Sequence, residues 1–322
     1  MTRASPSRIL LIQLHHLGDV VLATPAIRAA RQAFPEARID FITGPLGAQV
    51  LEANPHLDTI LVGPSMHWLF STRYDAVADM HSVPRTALYT IATRARTRIG
   101  IRGRGPRNLA YTELLPREGG PVYMARQKLR LLAPLGIAVN TADARLEITI
   151  ETAQRGWARA TVAGHKGVQP LVAISPVAKH AFKQWGPANW AAVADALAEH
   201  GARILITSGP GEAAQARAVA ERMKHPALWE YGPTTVRQLA ALYEQCALWL
   251  GNDGGPKHIA VAAGTPTVTV IRKRLGLVWS DPDDRKQVSI NSESESLQSV
   301  QPSAVISAAR AFLSSQAYED RK

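Results

Sequence analysis

Arg8-Ile9-Leu10-Leu11-Ile12 runs through Gln13-Leu14-His15-His16 into Leu17-Gly18-Asp19, and then into Val20-Val21-Leu22-Ala23-Thr24-Pro25-Ala26. The first run is apolar, uninterrupted and of strand length, which is how a strand covered on both faces of a parallel sheet reads. The last is a helical pattern. Gly18 and Asp19 stand at the joint between them. In an open parallel sheet that joint lies at the carboxyl end of the strand, where such sheets bind their ligands.

Working outward, the same alternation continues. Ala37 to Thr43, Thr59 to Val62 and Tyr74 to Met80 read as strands, and Val20 to Ala33, Gly47 to Ala53, Pro84 to Arg94 and Tyr123 to Leu135 as helices, the last broken by Pro134. Glu151 to Gln169 carries no strand pattern and runs into Gly164, Gly167 and Pro170, which marks a linker. The pattern then restarts with strands Leu171 to Ser175, Arg203 to Thr207, Ala247 to Leu250 and Thr267 to Ile271. Helices fall at Asn189 to His200, Glu212 to Lys224, Val236 to Gln245, Pro256 to Ala263 and, after the polar stretch Asn291 to Gln301, Ser303 to Ser315. The fold class this predicts is α/β, with two Rossmann-like domains facing a central cleft. Their expected bounds are 1–164 and 165–302, with a terminal helical segment 303–322.

Length and composition agree. The 322 residues suit two domains at about 100–200 residues each. A single cysteine, Cys246, permits no internal disulfide framework and points to a reducing compartment, the cytoplasm by default. No apolar run approaches the ~18–20 residues of a membrane span. A net charge of +11 predicts attraction to polyanions, whether nucleic acid, an anionic membrane or a phosphorylated substrate.

Five constellations carry chemistry. Asp19 is a general base by position and equally a helix cap by residue type. Gly251-Asn252-Asp253-Gly254-Gly255-Pro256-Lys257-His258 follows a strand and opens a helix, as a diphosphate cradle does and as an ordinary Asp-Gly turn does. Lys179-His180-Ala181-Phe182-Lys183-Gln184-Trp185 supplies a second anion-binding edge or a solvated loop. Gly209-Pro210-Gly211-Glu212-Ala213-Ala214 fits a dinucleotide fingerprint, with Glu230 as its ribose acid, although it sits in mid-domain. Six arginines from Arg94 to Arg107 suit phosphates or sugar-acid carboxylates. No nucleic-acid module accompanies them, so nucleic acid is not an expected partner. Met66-His67-Trp68-Leu69-Phe70 reads as core packing or as a membrane-dipping segment, and His15, His16 and Asp19 make too poor a ligand pattern for an expected metal site.

The Leu17-to-Ala26 stretch paired with Gly251-to-Ala260 and Gly264-Thr265-Pro266-Thr267 resembles glycosyltransferase family 9, the ADP-heptose:lipopolysaccharide heptosyltransferases. Tyr74-Asp75 to Asp79, Arg98-Ile99-Gly100, Leu132 to Ile137 and Lys183-Gln184-Trp185 support it. The resemblance implies a GT-B fold with an N-terminal acceptor domain, a C-terminal donor domain, and a last helix that returns towards the N-terminal domain. It implies an inverting transfer of heptose from ADP-heptose, with no further cofactor, to Kdo or heptose of an anionic lipopolysaccharide precursor. The protein would then be cytoplasmic and peripheral on the inner membrane.

By the same resemblance Asp19 matches the catalytic base. Lys183, Glu212, Asp253, Gly254, Gly255, Pro256, Lys257 and His258 match the donor site. Gly18, His81, Arg85, Arg98, Arg102 and Arg104 fall where the acceptor would be met. Two departures stand out: Gly254 where the family motif usually has Thr, and Ile271-Arg272-Lys273-Arg274 in place of a Gly-Pro-Thr type continuation. They leave open another nucleotide sugar, or a binder of nucleotide or anionic glycolipid that has lost turnover.

Overall fold

The computed structural model describes residues 5–117, 119–165, 169–209 and 211–314. Pro210, Gly167 and residues 315–322, which enter the expectations above, lie outside them. The chain divides into two compact units, Met1–Thr149 and Ile150–Lys322.

The first unit runs β1 (Arg8–Ile12), α1 (Leu17–Val21), α2 (Thr24–Ala33), β2 (Arg38–Thr43), α3 (Pro45–Leu51), β3 (Thr59–Val62), α4 (Met66–Ser71), β4 (Ala76–Asp79), α5 (Pro84–Ala92), β5 (Thr97–Ile101), β6 (Glu113–Leu115) and α6 (Met124–Arg130). Its strands are all parallel, in the order β3-β2-β1-β4-β5-β6. That is the doubly wound order, and its switch point falls between β1 and β4. Ile9 to Ile12 are wholly buried, as their unbroken apolar run requires.

The helix expected over Val20 to Ala33 is two helices, and the cause is local. Pro25 has no N–H for the carbonyl of Val21 four residues before it, and the buried Thr24 hydroxyl donates to that carbonyl instead, at 2.7 Å. The arginine-rich stretch also proves to be structured. It contains β5, paired with β4 on one side and β6 on the other.

The second unit runs α7 (Thr152–Thr161), β7 (Leu171–Ser175), α8 (Pro187–Glu199), β8 (Arg203–Ile206), α9 (Ala213–Ala220), β9 (Ala227–Leu228), α10 (Val236–Glu244), β10 (Leu248–Asn252), α11 (Gly255–Ala262), β11 (Thr267–Ile271), α12 (Gly276–Trp279), β12 (Gln287–Asn291) and α13 (Pro302–Ser314). Its parallel sheet, β12-β11-β10-β7-β8-β9, repeats the order of the first when counted from β7. The switch point here lies between β7 and β10. Trp185 and Trp190 meet edge to face at 4.9 Å in the core, and Trp185 Nε1 donates to the Val300 carbonyl.

One expectation about the domain bounds differs from this. The supposed linker holds α7, which packs on α10 and is tied to it by Arg155 on Glu244 at 2.9 Å, so the division falls at Thr149 rather than after residue 164. The described part of the last helix, α13, packs on α8, β10, β11 and β12 of its own unit, with Val305 and Ala309 fully buried.

Candidate active site

In the first unit the site is built where β1 and β4 end side by side. Asp19 stands in the first turn of α1, not at its cap, and no side chain caps that helix. Its carboxylate therefore points elsewhere: Oδ1 lies 3.4 Å from the ammonium of Lys128, while the side chain stays 20% exposed and so can be reached by a substrate. Lys128 comes from α6 and is buried, with Nζ donating to Gln13 Oε1 at 2.7 Å. Burial pushes the Lys128 ammonium below its ordinary range, and the negative charge of Asp19 opposes that shift.

The turn after β4 is held from below by Asp79. Its buried carboxylate accepts the N–H groups of His81 at 3.0 Å and Ser82 at 2.8 Å, and the Tyr111 hydroxyl at 2.7 Å. Burial raises the Asp79 pKa against those bonds. Ser82 takes a left-handed conformation, φ 50°, that lets both N–H groups converge on one oxygen. His81 is thereby set edge-on to His15, ring centroids 5.5 Å apart. Burial, then the nearby His15 and Lys128, depress its pKa to about 4, so the ring is neutral at pH 7.

The expected acceptor residues part company. Gly18 and His81 sit at the switch point. Arg85, on α5, lays its guanidinium against the Tyr89 hydroxyl at 3.0 Å. Arg98 is withdrawn from ligand binding, because it spends Nε on the Ala110 carbonyl and Nη1 on that of Ala95, each at 2.7 Å. Arg102 and Arg104 are exposed at the end of β5 and beyond it.

In the second unit the loops after β7 and β10 are sewn together. Asn252, buried at the end of β10, donates to the Pro176 carbonyl at 2.6 Å and accepts the Trp185 N–H at 3.3 Å. This sets Lys183 and Asp253, far apart in sequence, at 2.7 Å, Nζ to Oδ2. Gly254 is fully extended, φ 178°, and α11 starts at Gly255 with Pro256 in its first turn, presenting a helix N-terminus beside the Lys183 ammonium. Arg272 adds a further cation: with Lys183, Asp253, Leu275 and Leu297 it lines a shallow recess, and its guanidinium lies over the Phe182 ring at 5.0 Å.

Two donor residues take other places than expected. Lys257 is fully buried and turned inward, donating to the Trp279 carbonyl at 2.7 Å and to Ser280 Oγ at 2.6 Å, which leaves it to anchor the loop rather than meet a ligand. Burial lowers its pKa to about 8, against the pull of Asp253. Glu212 folds back so that its carboxylate accepts the Gly209 N–H at 2.9 Å. The glycine fingerprint it belongs to follows β8, away from the β7/β10 switch point, where a dinucleotide would be held. His258 is buried against Trp279. Among the described residues no group of three or more His, Cys, Asp or Glu side chains is placed to hold a metal.

Sequence reasoning misses Lys128, Gln13 and Asp79. The signal for Lys128 exists: with Ala125 and Leu129 it forms the buried stripe of α6, and a lysine on such a stripe needs a partner.

This arrangement matches known proteins along most of the chain. The model of glycosyltransferase family 9 (heptosyltransferase) matches residues 66–303. "Lipopolysaccharide heptosyltransferase 3" of Escherichia coli is 27% identical over 286 residues, covering 81% of this chain and 82% of that protein. Among solved structures, the glycosyl transferase family 9 protein of Veillonella parvula superposes with a TM-score of 0.84 at 22% identity, over 95% of this chain and 97% of that one. The E. coli ADP-heptose lps heptosyltransferase II does so with 0.79 at 19%, over 95% and 98%. These likenesses show the GT-B fold. With the family match spanning well over half of its length, the chain belongs to glycosyltransferase family 9, the heptosyltransferases, and is an enzyme of sugar transfer.

Proposed function

We propose that this heptosyltransferase moves heptose from ADP-heptose, with inversion, onto Kdo or heptose of the inner core of a lipopolysaccharide precursor. The observation that carries the reading is the half-buried Asp19 carboxylate at the β1/β4 switch point, with the buried Lys128 ammonium at its back. The names of the relatives support donor and acceptor class: one is a lipopolysaccharide heptosyltransferase, another an ADP-heptose lps heptosyltransferase.

The chemistry follows from the two sites. The acceptor hydroxyl gives its proton to Asp19 as its oxygen forms a bond to the anomeric carbon, and the bond from that carbon to the diphosphate oxygen breaks on the opposite face. A carboxylate is a weak base in water, so the proton moves late, when the attacking hydroxyl has become acidic. Neutral His81, beside Asp19, offers a hydrogen bond to the acceptor without a competing charge. The electron pair leaves with ADP. Lys183, oriented by Asp253, and the first N–H groups of α11 face that growing negative charge and stabilise it without added metal. No cofactor beyond the sugar donor enters this account.

The membrane side of the proposal rests on charge. No helix among the described residues is long and apolar enough to cross a bilayer, and the chain carries +11 charges for an anionic surface. We place the enzyme on the cytoplasmic face of the inner membrane. Calorimetric titration with ADP, UDP, GDP and NAD, without metal, tests the donor assignment. Selective ADP binding is the expected result; preference for NAD, or no nucleotide binding, would overturn it.

A further inference from the structure

Large apolar side chains are left in solvent on α4 and α5 of the first unit. Met66 is 45% exposed, Phe70 56%, Leu88 58% and Ile91 51%. Their spacing puts them on outer faces: Met66 and Phe70 are four apart on α4, Leu88 and Ile91 three apart on α5. The inner faces of the same helices, Leu69 on α4 and Tyr89 and Ala92 on α5, belong to one core cluster. The outer stripes therefore run side by side. Arg94, just past the end of α5, joins them by lying over the Phe70 ring at 4.9 Å.

Charge on this face has one sign. The exposed positions of α5 are Pro84, Arg85, Leu88 and Ile91, with exposed Arg94 just past its end, so the stripe is apolar in the middle with an arginine on either side. Neither α4 nor α5 contains an Asp or Glu. The two carboxylates between them and the next strand are engaged elsewhere: Asp75 accepts the Ser7 and Arg8 N–H groups, and Asp79 is buried. A second copy of the chain would set arginine against arginine across a two-fold axis, which disfavours self-pairing. An anionic bilayer fits both halves of the pattern. Its acyl boundary takes the apolar side chains, and its phosphates take the guanidinium groups, whose stems reach up along the apolar surface.

We infer that the outer face of α4 and α5, with Phe70, Leu88 and Ile91 at its centre and Arg85 and Arg94 at its ends, docks the enzyme on an anionic lipid bilayer. The inference rests on the proposed reading only in that a lipid-borne acceptor calls for an enzyme held at a bilayer. It also divides the Met66-to-Phe70 segment between its two readings. Leu69 goes to the core, and Met66 and Phe70 remain for the membrane.

The test is cosedimentation of the full chain with phosphatidylcholine vesicles, with and without phosphatidylglycerol, alongside calorimetry with ADP. The wild type is expected to partition at least ~10-fold more onto the anionic vesicles. The triple variant Phe70→Ser, Leu88→Ser, Ile91→Ser should lose about tenfold or more of that partitioning, with its circular dichroism melting curve and ADP affinity unchanged. Arg94→Gln should lose about fivefold, the worth of one basic residue at such a surface. Variants that sediment as the wild type does, or a wild type that binds neither vesicle, would overturn the inference while leaving the ADP result standing. A wild-type dimer in sedimentation velocity that the triple variant dissolves would overturn it in favour of self-association. Loss of ADP binding with vesicle binding intact would sink the donor assignment and support the docking surface.

Discussion

Lys128 lies with its ammonium 3.4 Å from the Asp19 carboxylate and 2.7 Å from Gln13 Oε1, so a buried cation backs a half-buried acid at the β1/β4 switch point. A buried lysine without such partners would give up its proton. Here the pair and the amide hold it in place, and Lys128 in turn fixes the carboxylate that is proposed to act.

Lys128 is thus a positioning residue. Lys128→Met keeps the volume and removes the charge, but leaves the buried Gln13 amide without its donor and Asp19 without its counter-ion, so stability should fall by about 1–3 kcal/mol in denaturant titration while the chain still folds. Steady-state kinetics should show kcat down by roughly 10- to 100-fold with the donor KM within about twofold, since only an interaction made at the chemical step is lost. A donor KM that rises while kcat holds would place Lys128 outside the acid-base machinery.

The two lysines of the second unit should separate cleanly. Lys183 faces the recess, and Lys183→Ala should weaken ADP binding about 10- to 100-fold in calorimetry, the worth of a charge-assisted hydrogen bond. Lys257 faces the core. Lys257→Met should leave ADP affinity within about twofold and lower stability by about 1–3 kcal/mol in denaturant titration, as the Trp279 carbonyl and Ser280 hydroxyl lose their donor. Equal effects of both on ADP would return Lys257 to the binding site.

Gly254 is a glycine without a steric reason. Its φ of 178° suits any residue, and an added Cβ would come no nearer than 3.7 Å to Pro256 Cδ. Threonine there should cap α11 and offer a hydroxyl to the diphosphate. Gly254→Thr is therefore expected to keep or slightly raise Tm and to tighten ADP binding about two- to tenfold. Weaker ADP binding in the variant would mean that this chain uses the glycine for a different donor geometry.

His81 makes stability pH-dependent with a defined sign. Its pKa is about 4 in the folded chain against 6.5 ordinarily, so between those values the unfolded chain binds the extra proton. Stability is full above pH 6.5 and falls as the pH drops towards 4, by on the order of 1–3 kcal/mol. Urea titrations at pH 7 and pH 4 should show His81→Gln losing less than the wild type over that interval. An identical loss would mean that the ring is already open to protonation.

The parts legible in the sequence are those where one physical demand dominates. Ile9 to Ile12 and Leu171 to Ile174 are buried on both faces and read as unbroken apolar runs. Gly254-Gly255-Pro256 after a strand favours a helix start, and Asp19 follows on β1, at the strand end where open parallel sheets are expected to place ligands. What escapes is set by tertiary partners. α7 buries little more than Ala158 and is held by Arg155 on Glu244 and Arg237 on Glu151, pairs that no local pattern announces. Lys257 and Arg98 are charged residues in loop- and cluster-like settings, and only the folded chain shows that carbonyls from distant segments claim them.

The most direct measurement is transfer itself. Purified wild type and Asp19→Asn would each be given ADP-heptose with a Kdo-bearing or heptose-bearing lipid A precursor, with ADP release, product mass and anomeric configuration followed together. The account predicts one ADP per heptosylated product, inverted configuration, and a variant that still binds ADP yet transfers at least ~100-fold more slowly. Retained configuration, ADP release without acceptor, or an Asp19→Asn variant as active as the wild type would contradict it.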